Sequence, residues 1–311
     1  NDFMLLKRIG GECAGAIIIL PESCEQYSYH QLSGGQLSEL IKKIPERPLL
    51  AGEDGIRISL AGAQEKVVLF LKDSIFYIPL NGAPSNYILK PGMLHFPSSI
   101  ENECFCMMLA DDLNLPVPSV KILKEKEQKA LLIKRYDRVY GNDSVRRLHQ
   151  EDFCQAMGVS YDRKYEFEGG PGLGDCFQLI DQCSIQPLLD KKKLLDWVVF
   201  NYCIGNADAH GKNVSLLYAG HGVFLAPFYD LISTVAYPGL SKKMAMSIGG
   251  ENRFPWVKQR HWERLAETIN LKPRVVLEAV EEMSARVTQE GRKLKEEKEG
   301  KVVGIVGINN L

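Results

Sequence analysis

Apolar and polar positions follow two different patterns along the chain, and the change falls near residue 135. Up to about Lys134, short apolar runs bounded by turn residues dominate, which is typical of strands. Strands are predicted at residues 13–20, 56–60, 67–71, 76–79, 86–89, 120–123 and 130–134. Two helical patterns interrupt them, at residues 29–44 (helical at least from Gln36) and at residues 100–113, where acidic side chains suit the first turn.

Helical periodicity dominates after the motif Arg135-Tyr-Asp-Arg138. Helices are predicted at residues 151–158, 176–183, 191–204 and 261–299, with a glycine-rich loop at 161–175 and a hairpin formed by 214–218 and 223–227. A β-rich part followed by a helical part predicts an α+β fold of two lobes. We place the N-lobe at residues 1–135 and the C-lobe at residues 136–311.

Composition places the chain among ordinary globular proteins. Of its 311 residues, 45% are apolar and 25% are charged, and the formal net charge is −1. A nearly neutral chain has no global attraction to nucleic acid or to membranes, so we expect no direct contact with either. The cysteine spacings are not those of a metal knuckle. Without a signal pattern or a long apolar run, the sequence predicts a cytoplasmic protein.

The strongest concentration of chemical groups is residues 205–217, a polar loop between two apolar runs. Asp208 and Asn213 stand five apart, as do the base and the metal ligand of phosphotransfer loops. In such loops the aspartate accepts the proton of the acceptor hydroxyl, and the asparagine binds Mg²⁺. Asp230 follows the predicted hairpin, where a second Mg²⁺ ligand is expected. The sequence therefore predicts ATP- and Mg²⁺-dependent phosphotransfer.

Phosphotransfer also needs a cation for the nucleotide phosphates, and Lys90 ends a predicted strand. Glu103 is its candidate ion-pair partner, with Glu101 as the second choice, and a surface lysine before Pro91 is the alternative. Residues 59–66 combine one glycine with small alanines, so their backbone amides can approach phosphates. A tight hairpin without a ligand explains that stretch equally well.

Several motifs occur in an order that resembles one known family. They are Ile58-Ser-Leu-Ala-Gly-Ala-Gln-Glu-Lys66, Ile88-Leu-Lys90, Glu101-Asn-Glu103, Arg135-Tyr-Asp-Arg138, Gln150-Glu-Asp152, Gly169-Gly-Pro-Gly172, Asn206-Ala-Asp-Ala-His-Gly-Lys-Asn213 and Phe228-Tyr-Asp-Leu231. They resemble the HipA-type toxins, serine/threonine kinases of bacterial toxin–antitoxin modules. The resemblance extends from about residue 13 to residue 277 and implies a protein-kinase-like fold.

The resemblance also implies a role for individual residues. Asp208 is expected to be the catalytic base, supported by His210 and Lys212, while Asn213 and Asp230 bind Mg²⁺. Ser59 is expected to be autophosphorylated, and residues 134–136 form the hinge that receives adenine. The full set of expected nucleotide-site residues is Ser59, Ala61, Gly62, Ala63, Gln64, Lys66, Lys90, Glu103, Lys134, Tyr136, Asp208, His210, Asn213 and Asp230.

Family members phosphorylate a serine of an aminoacyl-tRNA synthetase, glutamyl or tryptophanyl, which arrests translation and growth. Full-length HipA carries a small subdomain ahead of the residue 13 strand; we expect this chain to lack it and so to be most similar to the short HipT form. In HipT modules that subdomain is a separate small antitoxin. The partners implied are this HipS-like protein, a HipB-like helix-turn-helix DNA binder and a synthetase substrate. Arg57 replaces a second serine common in HipT, which predicts a single modified site, Ser59.

Two alternatives remain open from the residues alone. The set Asp208, Asn213 and Asp230 also suits a small-molecule phosphotransferase of the same lobed architecture, because a fold does not determine the acceptor. A binding module without catalysis is the other alternative, and the presence of every expected catalytic residue argues against it.

Overall fold

The computed structural model describes residues 11–19, 26–45, 58–59, 64–141, 145–220 and 222–298. Contacts among Cα atoms divide the chain into two units. The first unit comprises Asn1–Ile100 and Pro118–Gln150, and the second comprises Glu101–Val117 and Glu151–Leu311. These limits differ from the predicted lobe boundary between residues 135 and 136, which stays a prediction.

Strands dominate the described part of the first unit. They are β1 (Glu12–Cys13), β2 (Ser28–Gln31), β3 (Ile58–Ser59), β4 (Val67–Lys72), β5 (Ile75–Leu80), β6 (Tyr87–Pro91), β7 (Val120–Glu125), β8 (Gln128–Lys134), β9 (Arg138–Tyr140) and β10 (Val145–Arg147). Six of them form an antiparallel sheet in the order β2-β5-β4-β6-β8-β7. The predicted hairpin of β7 and β8 is confirmed, with Glu125 opposite Gln128 at its turn.

Helix α1 (Gly34–Lys43) packs its apolar face on this sheet. Ser33 caps the helix, because its hydroxyl accepts from the Gln36 amide at 3.3 Å and the Gln36 side chain accepts from the Ser33 amide at 2.8 Å. Leu37 and Ile41 join a buried cluster with Leu69 of β4. The prediction of a helix from Gln36 onward is confirmed.

A buried ion network ties the start of the described chain to the residues that follow β8. The Glu12 carboxylate lies 3.1 Å from Arg135, 2.8 Å from Arg138 and 2.5 Å from Arg147. Arg135 also pairs with a second carboxylate, that of Asp137, at 2.7 Å. Burial favours the neutral form of Glu12, but the three guanidinium groups outweigh this and lower the pKa of its carboxyl.

Helices dominate the second unit. They are α2 (Ser99–Asp112), whose first two residues belong to the first unit, α3 (Phe153–Ala156), α4 (Leu173–Cys183), α5 (Pro187–Ile204), α6 (Gln259–Thr268) and α7 (Pro273–Lys298). The remaining strands are β11 (His149–Asp152), whose first two residues belong to the first unit, β12 (Ser215–Ala219), β13 (Gly222–Leu225), β14 (Lys243–Ile248) and β15 (Glu251–Arg253). Among the described residues, every helix is too short or too polar to cross a bilayer.

The segment Glu101–Val117 is bonded to residues far along the chain within the second unit. The Asn102 side chain donates to the Ser233 carbonyl at 3.0 Å. The Phe228 amide donates to the Pro116 carbonyl at 2.7 Å. These bonds anchor both ends of the segment to the region just after β13.

Candidate functional site

The polar loop predicted from the sequence follows helix α5, which Gly205 terminates at a left-handed φ of +67°. A Cβ on Gly205 would lie 2.3 Å from Val235 Cγ2, so only glycine fits both the conformation and the space. Thr234 fixes the loop from the other side. Its hydroxyl accepts from the Ala207 amide at 2.7 Å and donates to the Gly205 carbonyl at 3.1 Å.

Asn206 connects the start of the loop to the backbone of Asp230. Its side-chain amide donates to Asn201 at 2.8 Å and, more weakly, to the Asp230 carbonyl at 3.5 Å. Its side-chain oxygen accepts from the Asp208 amide at 3.1 Å. Asn206 is buried, so these bonds replace contacts with water and determine the direction in which the loop leaves the helix.

Asp208 presents a half-exposed carboxylate at the end of this scaffold, with 50% of its side chain exposed. The Tyr165 hydroxyl donates to its Oδ1 at 2.6 Å, and the Lys164 ammonium lies 3.8 Å from the same oxygen. His210 Nε2 is also 3.8 Å from Oδ1. Burial lowers the pKa of His210 to about 4, so its imidazole is neutral at pH 7 and Lys164 supplies the positive charge beside Asp208.

Tyr165 is a weak acid in this setting. Burial of the ring and the adjacent Asp208 carboxylate both raise the pKa of its phenol well above its usual value. The phenol therefore stays protonated at neutral pH and acts as the donor in the bond to Asp208. Its ring stacks on Phe167 with a centroid separation of 5.4 Å.

Asn213 and Asp230 lie side by side, as the phosphotransfer pattern predicts for two metal ligands. The Asn213 amide donates to Asp230 Oδ2 at 3.3 Å, and its side-chain oxygen accepts from the His210 amide at 3.2 Å. The described residues contain no group of three or more His, Cys, Asp or Glu side chains that could hold a metal by themselves. A carboxylate and an amide oxygen fit Mg²⁺ that is shared with nucleotide phosphates, since Mg²⁺ in such sites takes only one or two protein ligands.

Lys212 is tied to the site through its backbone. Its carbonyl accepts from the Tyr229 hydroxyl at 2.9 Å, and the same hydroxyl lies 2.6 Å from the Ser215 hydroxyl. These bonds connect the loop, the first residue of β12 and the neighbour of Asp230. The loop residues Asp208, His210, Lys212 and Asn213 are thus brought together with Asp230 inside the second unit.

The expected nucleotide loop is only partly described. Ser59 lies in β3, where its backbone pairs in parallel with Cys13 of β1. Its side chain, like Ala61, Gly62 and Ala63, lies outside the described residues. Gln64 is described, and its side-chain amide donates to the Pro91 carbonyl at the end of β6 at 3.0 Å.

The other expected nucleotide-site residues are distributed over the two units. Lys66 and Lys90 are buried in the first unit, and Lys90 lies in β6 opposite Leu131. Lys134 ends β8, and Tyr136 donates its hydroxyl to the Gln150 side chain, both in the first unit. Glu103 is buried within α2 in the second unit.

Lys164 and Tyr165 are the site residues that the sequence patterns did not reveal. They lie in the predicted loop at 161–175, which contains a short 3₁₀ turn at Glu166–Glu168 before α4 begins at Leu173. No spacing relates them to Asp208, because the contact joins residues 43 positions apart. The only local signal is their place just before the glycine motif that begins at Gly169.

Comparison with known proteins identifies relatives over most of the chain. The model of the HipA-like C-terminal domain matches residues 58–290. "Putative kinase Y4mE" of Sinorhizobium fredii is 46% identical over 276 residues, which cover 86% of the chain and 66% of the relative. "Serine/threonine-protein kinase toxin HipA" of Shewanella oneidensis is 33% identical over 267 residues, which cover 81% of the chain and 61% of the relative. The chain thus spans about two thirds of these relatives or less.

A solved structure confirms the predicted fold class. The structure of the Shewanella oneidensis MR-1 toxin–antitoxin system HipA, HipB and its operator DNA matches with a TM-score of 0.80 at 28% identity. The match covers 99% of the chain and 74% of the solved chain. The mixture of sheet and helix is therefore that of a HipA-like, kinase-like fold. The chain belongs to the family of HipA-like C-terminal domains.

Proposed function

We propose that the chain is a serine/threonine protein kinase that transfers the terminal phosphoryl group of ATP to a protein hydroxyl. The observation that carries this proposal is the assembly of Asp208, Asn213 and Asp230 within one unit, with Asn213 and Asp230 at 3.3 Å. This is the constellation of a base and two metal ligands that phosphotransfer requires. The named kinase relative of Shewanella oneidensis supports it.

In this proposal Asp208 accepts the proton of the acceptor hydroxyl and orients that hydroxyl for attack. Asn213 and Asp230 hold Mg²⁺, and Lys90 neutralises charge on the nucleotide phosphates. ATP with Mg²⁺ supplies the phosphoryl group and charge neutralisation when bound. His210 and Lys212 keep the loop in shape, through the amide bond from His210 to Asn213 and the carbonyl bond from Lys212 to Tyr229.

The resemblance to HipA-type toxins extends the proposal to biology. The acceptor is a serine of an aminoacyl-tRNA synthetase, and the consequence is arrest of translation and growth. The chain also phosphorylates itself at Ser59, as a short HipT-like form with one modified serine. Its antitoxin partners are a HipB-like DNA binder, as in the solved Shewanella complex, and a HipS-like small protein, and the setting is the cytoplasm.

The test compares Asp208→Asn with Asp196→Asn, a charge removed from a surface ion pair with Lys192 in α5. Incubation with [γ-³²P]ATP, Mg²⁺ and a bacterial lysate should label the chain and one synthetase band in the wild type and in Asp196→Asn. Asp208→Asn should label neither, while its circular dichroism remains that of the wild type. Full labelling by Asp208→Asn would show that Asp208 is not the base. Labelling of small molecules alone would favour a small-molecule phosphotransferase.

A further inference from the structure

The contact between Tyr165 and Asp208 lies outside the set of residues that phosphotransfer loops share. We propose that Tyr165 is a positioning residue that holds the Asp208 carboxylate through Oδ1 and so presents Oδ2 to the acceptor hydroxyl. The hydrogen bond of 2.6 Å from the phenol to Oδ1 carries this inference. It rests on the proposed function, since it takes Asp208 as the base.

All the close polar contacts of the Asp208 carboxylate fall on one oxygen. Oδ1 accepts from Tyr165 and lies 3.8 Å from both Lys164 and His210. Among the described residues, no hydrogen bond or ion pair engages Oδ2. A carboxylate rotates readily about its last bond, so a donor that holds one oxygen determines where the other one points.

Tyr165 is itself held by a tightly folded segment, residues 163–172. The Gly170 amide donates to the Tyr165 carbonyl at 2.8 Å, which closes a turn around the 3₁₀ residues. A Cβ on Gly170 would lie 2.4 Å from the Arg163 carbonyl oxygen, so the turn requires glycine there. The Glu166 carboxylate accepts from the Ser247 hydroxyl at 2.9 Å and from the Ser247 amide.

The same segment also packs directly on the catalytic loop. A Cβ on Gly211 would lie 3.0 Å from Pro171 Cγ and 3.1 Å from Cys154 Sγ. Pro171 therefore contacts the loop three residues after Asp208, while Tyr165 contacts Asp208 itself. Because Tyr165 and Pro171 contact the loop at two separate points, the segment cannot pivot about either contact. Its position along the loop is therefore determined.

Lys164 completes the arrangement with a charge. Its ammonium lies 4.7 Å from the centroid of the Tyr165 ring as well as 3.8 Å from Asp208. The ring of His210 meets the Tyr165 ring edge-on at 5.5 Å. The Tyr165 ring is thus in contact with Lys164, His210 and Phe167, which restricts its rotation and keeps its hydroxyl beside the carboxylate.

Two other roles for the Tyr165 hydroxyl predict different experimental results. A tyrosine that occupies the place of the acceptor would inhibit transfer, so Tyr165→Phe would be faster than the wild type. A tyrosine that is itself the acceptor would become phosphorylated. The clustering of every contact on Oδ1, with Oδ2 left for the acceptor, favours the positioning role over both.

The experiment compares Tyr165→Phe with Tyr161→Phe, which removes a hydroxyl from a side chain of the same loop that is 82% exposed. Transfer of ³²P from [γ-³²P]ATP is measured on the chain itself and on myelin basic protein as a generic acceptor. Loss of a hydrogen bond to a charged group should lower kcat about tenfold or more in Tyr165→Phe. KM for ATP should stay within about twofold because the nucleotide ligands are intact. Tyr161→Phe should match the wild type.

Equal or faster transfer by Tyr165→Phe overturns the proposal, as does phosphotyrosine at position 165 in the mass spectrum of the wild type. Absence of transfer by the wild type itself overturns the proposed function rather than this contact alone. A second readout needs no turnover. In protein labelled with 3-fluorotyrosine, Asp208→Ala should shift the ¹⁹F resonance of Tyr165 and leave that of Tyr161 in place. An unshifted Tyr165 resonance means that the bond is absent and also overturns the proposal.

Discussion

Asp230 has a backbone conformation that few side chains adopt. Its φ is +56°, in the left-handed region where aspartate and asparagine are tolerated better than most residues. This conformation accompanies the placement of its carboxylate 3.3 Å from the Asn213 amide. A residue kept in a disfavoured conformation at such a site is consistent with a functional role.

Asp230→Asn tests the role of this carboxylate in metal binding. It removes a negative charge and keeps the size and the backbone preference, so the fold should be unchanged. The apparent Kd for ATP in the presence of Mg²⁺ should rise about tenfold, which corresponds to about 1.4 kcal/mol. Titration with a fluorescent ATP analogue at several Mg²⁺ concentrations measures it. Asp181→Asn, whose aspartate pairs with Lys191 in the same unit, is the control and should bind as the wild type does.

Glu12 is the shared partner of three arginines. Its replacement should make the free energy of unfolding less sensitive to a fall in pH. Because the pKa of Glu12 is lowered on folding, its stabilisation is present above its usual value of 4.5 and is lost as pH falls below it. Glu12→Gln should therefore destabilise the protein by about 3–5 kcal/mol at pH 7, since it leaves Asp137 to pair with both Arg135 and Arg138 and removes the carboxylate that pairs with Arg147.

Urea unfolding of the wild type and of Glu12→Gln at pH 7 and at pH 3.5 measures this difference, which should shrink at the lower pH. Glu127→Gln, at the exposed turn between β7 and β8, should change the free energy of unfolding by less than about 0.5 kcal/mol at either pH. A difference that stays constant between the two pH values would contradict the ionic role of Glu12.

At the scale of elements, the end of helix α5 determines where the polar loop of residues 205–217 begins. Gly205 and Gly158 share a φ of +67°, but only Gly205 is crowded, with Val235 Cγ2 at 2.3 Å from the position of a Cβ. Around Gly158, no atom of the described residues lies within 4 Å of that position, apart from the glycine and its chain neighbours. Comparing alanine variants of the two glycines therefore separates two contributions to the loss of stability. One is the left-handed conformation, and the other is the close contact with Val235.

Gly205→Ala should lower the free energy of unfolding by about 1–2 kcal/mol for the left-handed conformation and by more for the displaced Val235. It should also reduce phosphotransfer, because Asp208 lies three residues further along. Gly158→Ala should show the conformational cost alone and retain activity. Thermal unfolding and the ³²P assay measure both variants, and identical losses in the two would refute the crowding at Gly205.

The sequence predicted elements well where one pattern decided them. The capped helix α1, the strands β4 to β8 and the long apolar helix α5 all lie close to their predicted positions. The predicted strand at residues 13–20 was wrong over residues 14–19, because Gly15 turns the chain at φ +74° and donates its amide to Asp137 at 2.8 Å. Residue 20 lies outside the described residues. The helix predicted at residues 151–158 is shorter in the structure, at Phe153–Ala156. The strand β11 extends to Asp152, and the Asp152 side chain caps the helix that follows.

The candidate site was predictable only in part, for a related reason. Asp208 and Asn213 are close in sequence, so their spacing carried the signal. Tyr165 reaches Asp208 across 43 positions through a loop without periodicity. The turn at Gly15 and the contact of Tyr165 with Asp208 were therefore missed for the same reason. Tertiary hydrogen bonds determine both positions, and local propensity does not.

At the scale of the whole molecule, the net charge of −1 gives no general attraction to DNA. In the proposed function, contact with operator DNA depends on a HipB-like partner. The chain alone should therefore give no mobility shift with a duplex operator at 150 mM salt, while the chain with its HipB-like partner should retard the duplex further than that partner alone. A specific shift by the chain alone would contradict the proposed division of roles. Duplex of scrambled sequence is the control.

The division of the chain into units has a consequence for its synthesis on the ribosome. The polypeptide passes from one unit to the other after Ile100, after Val117 and after Gln150. The segment Glu101–Val117 therefore emerges long before Phe228 and Ser233, to which it is bonded. These two bonds can form only after more than a hundred further codons have been translated. We therefore expect this segment to complete its bonds late in synthesis, after the residues of the first unit have been translated.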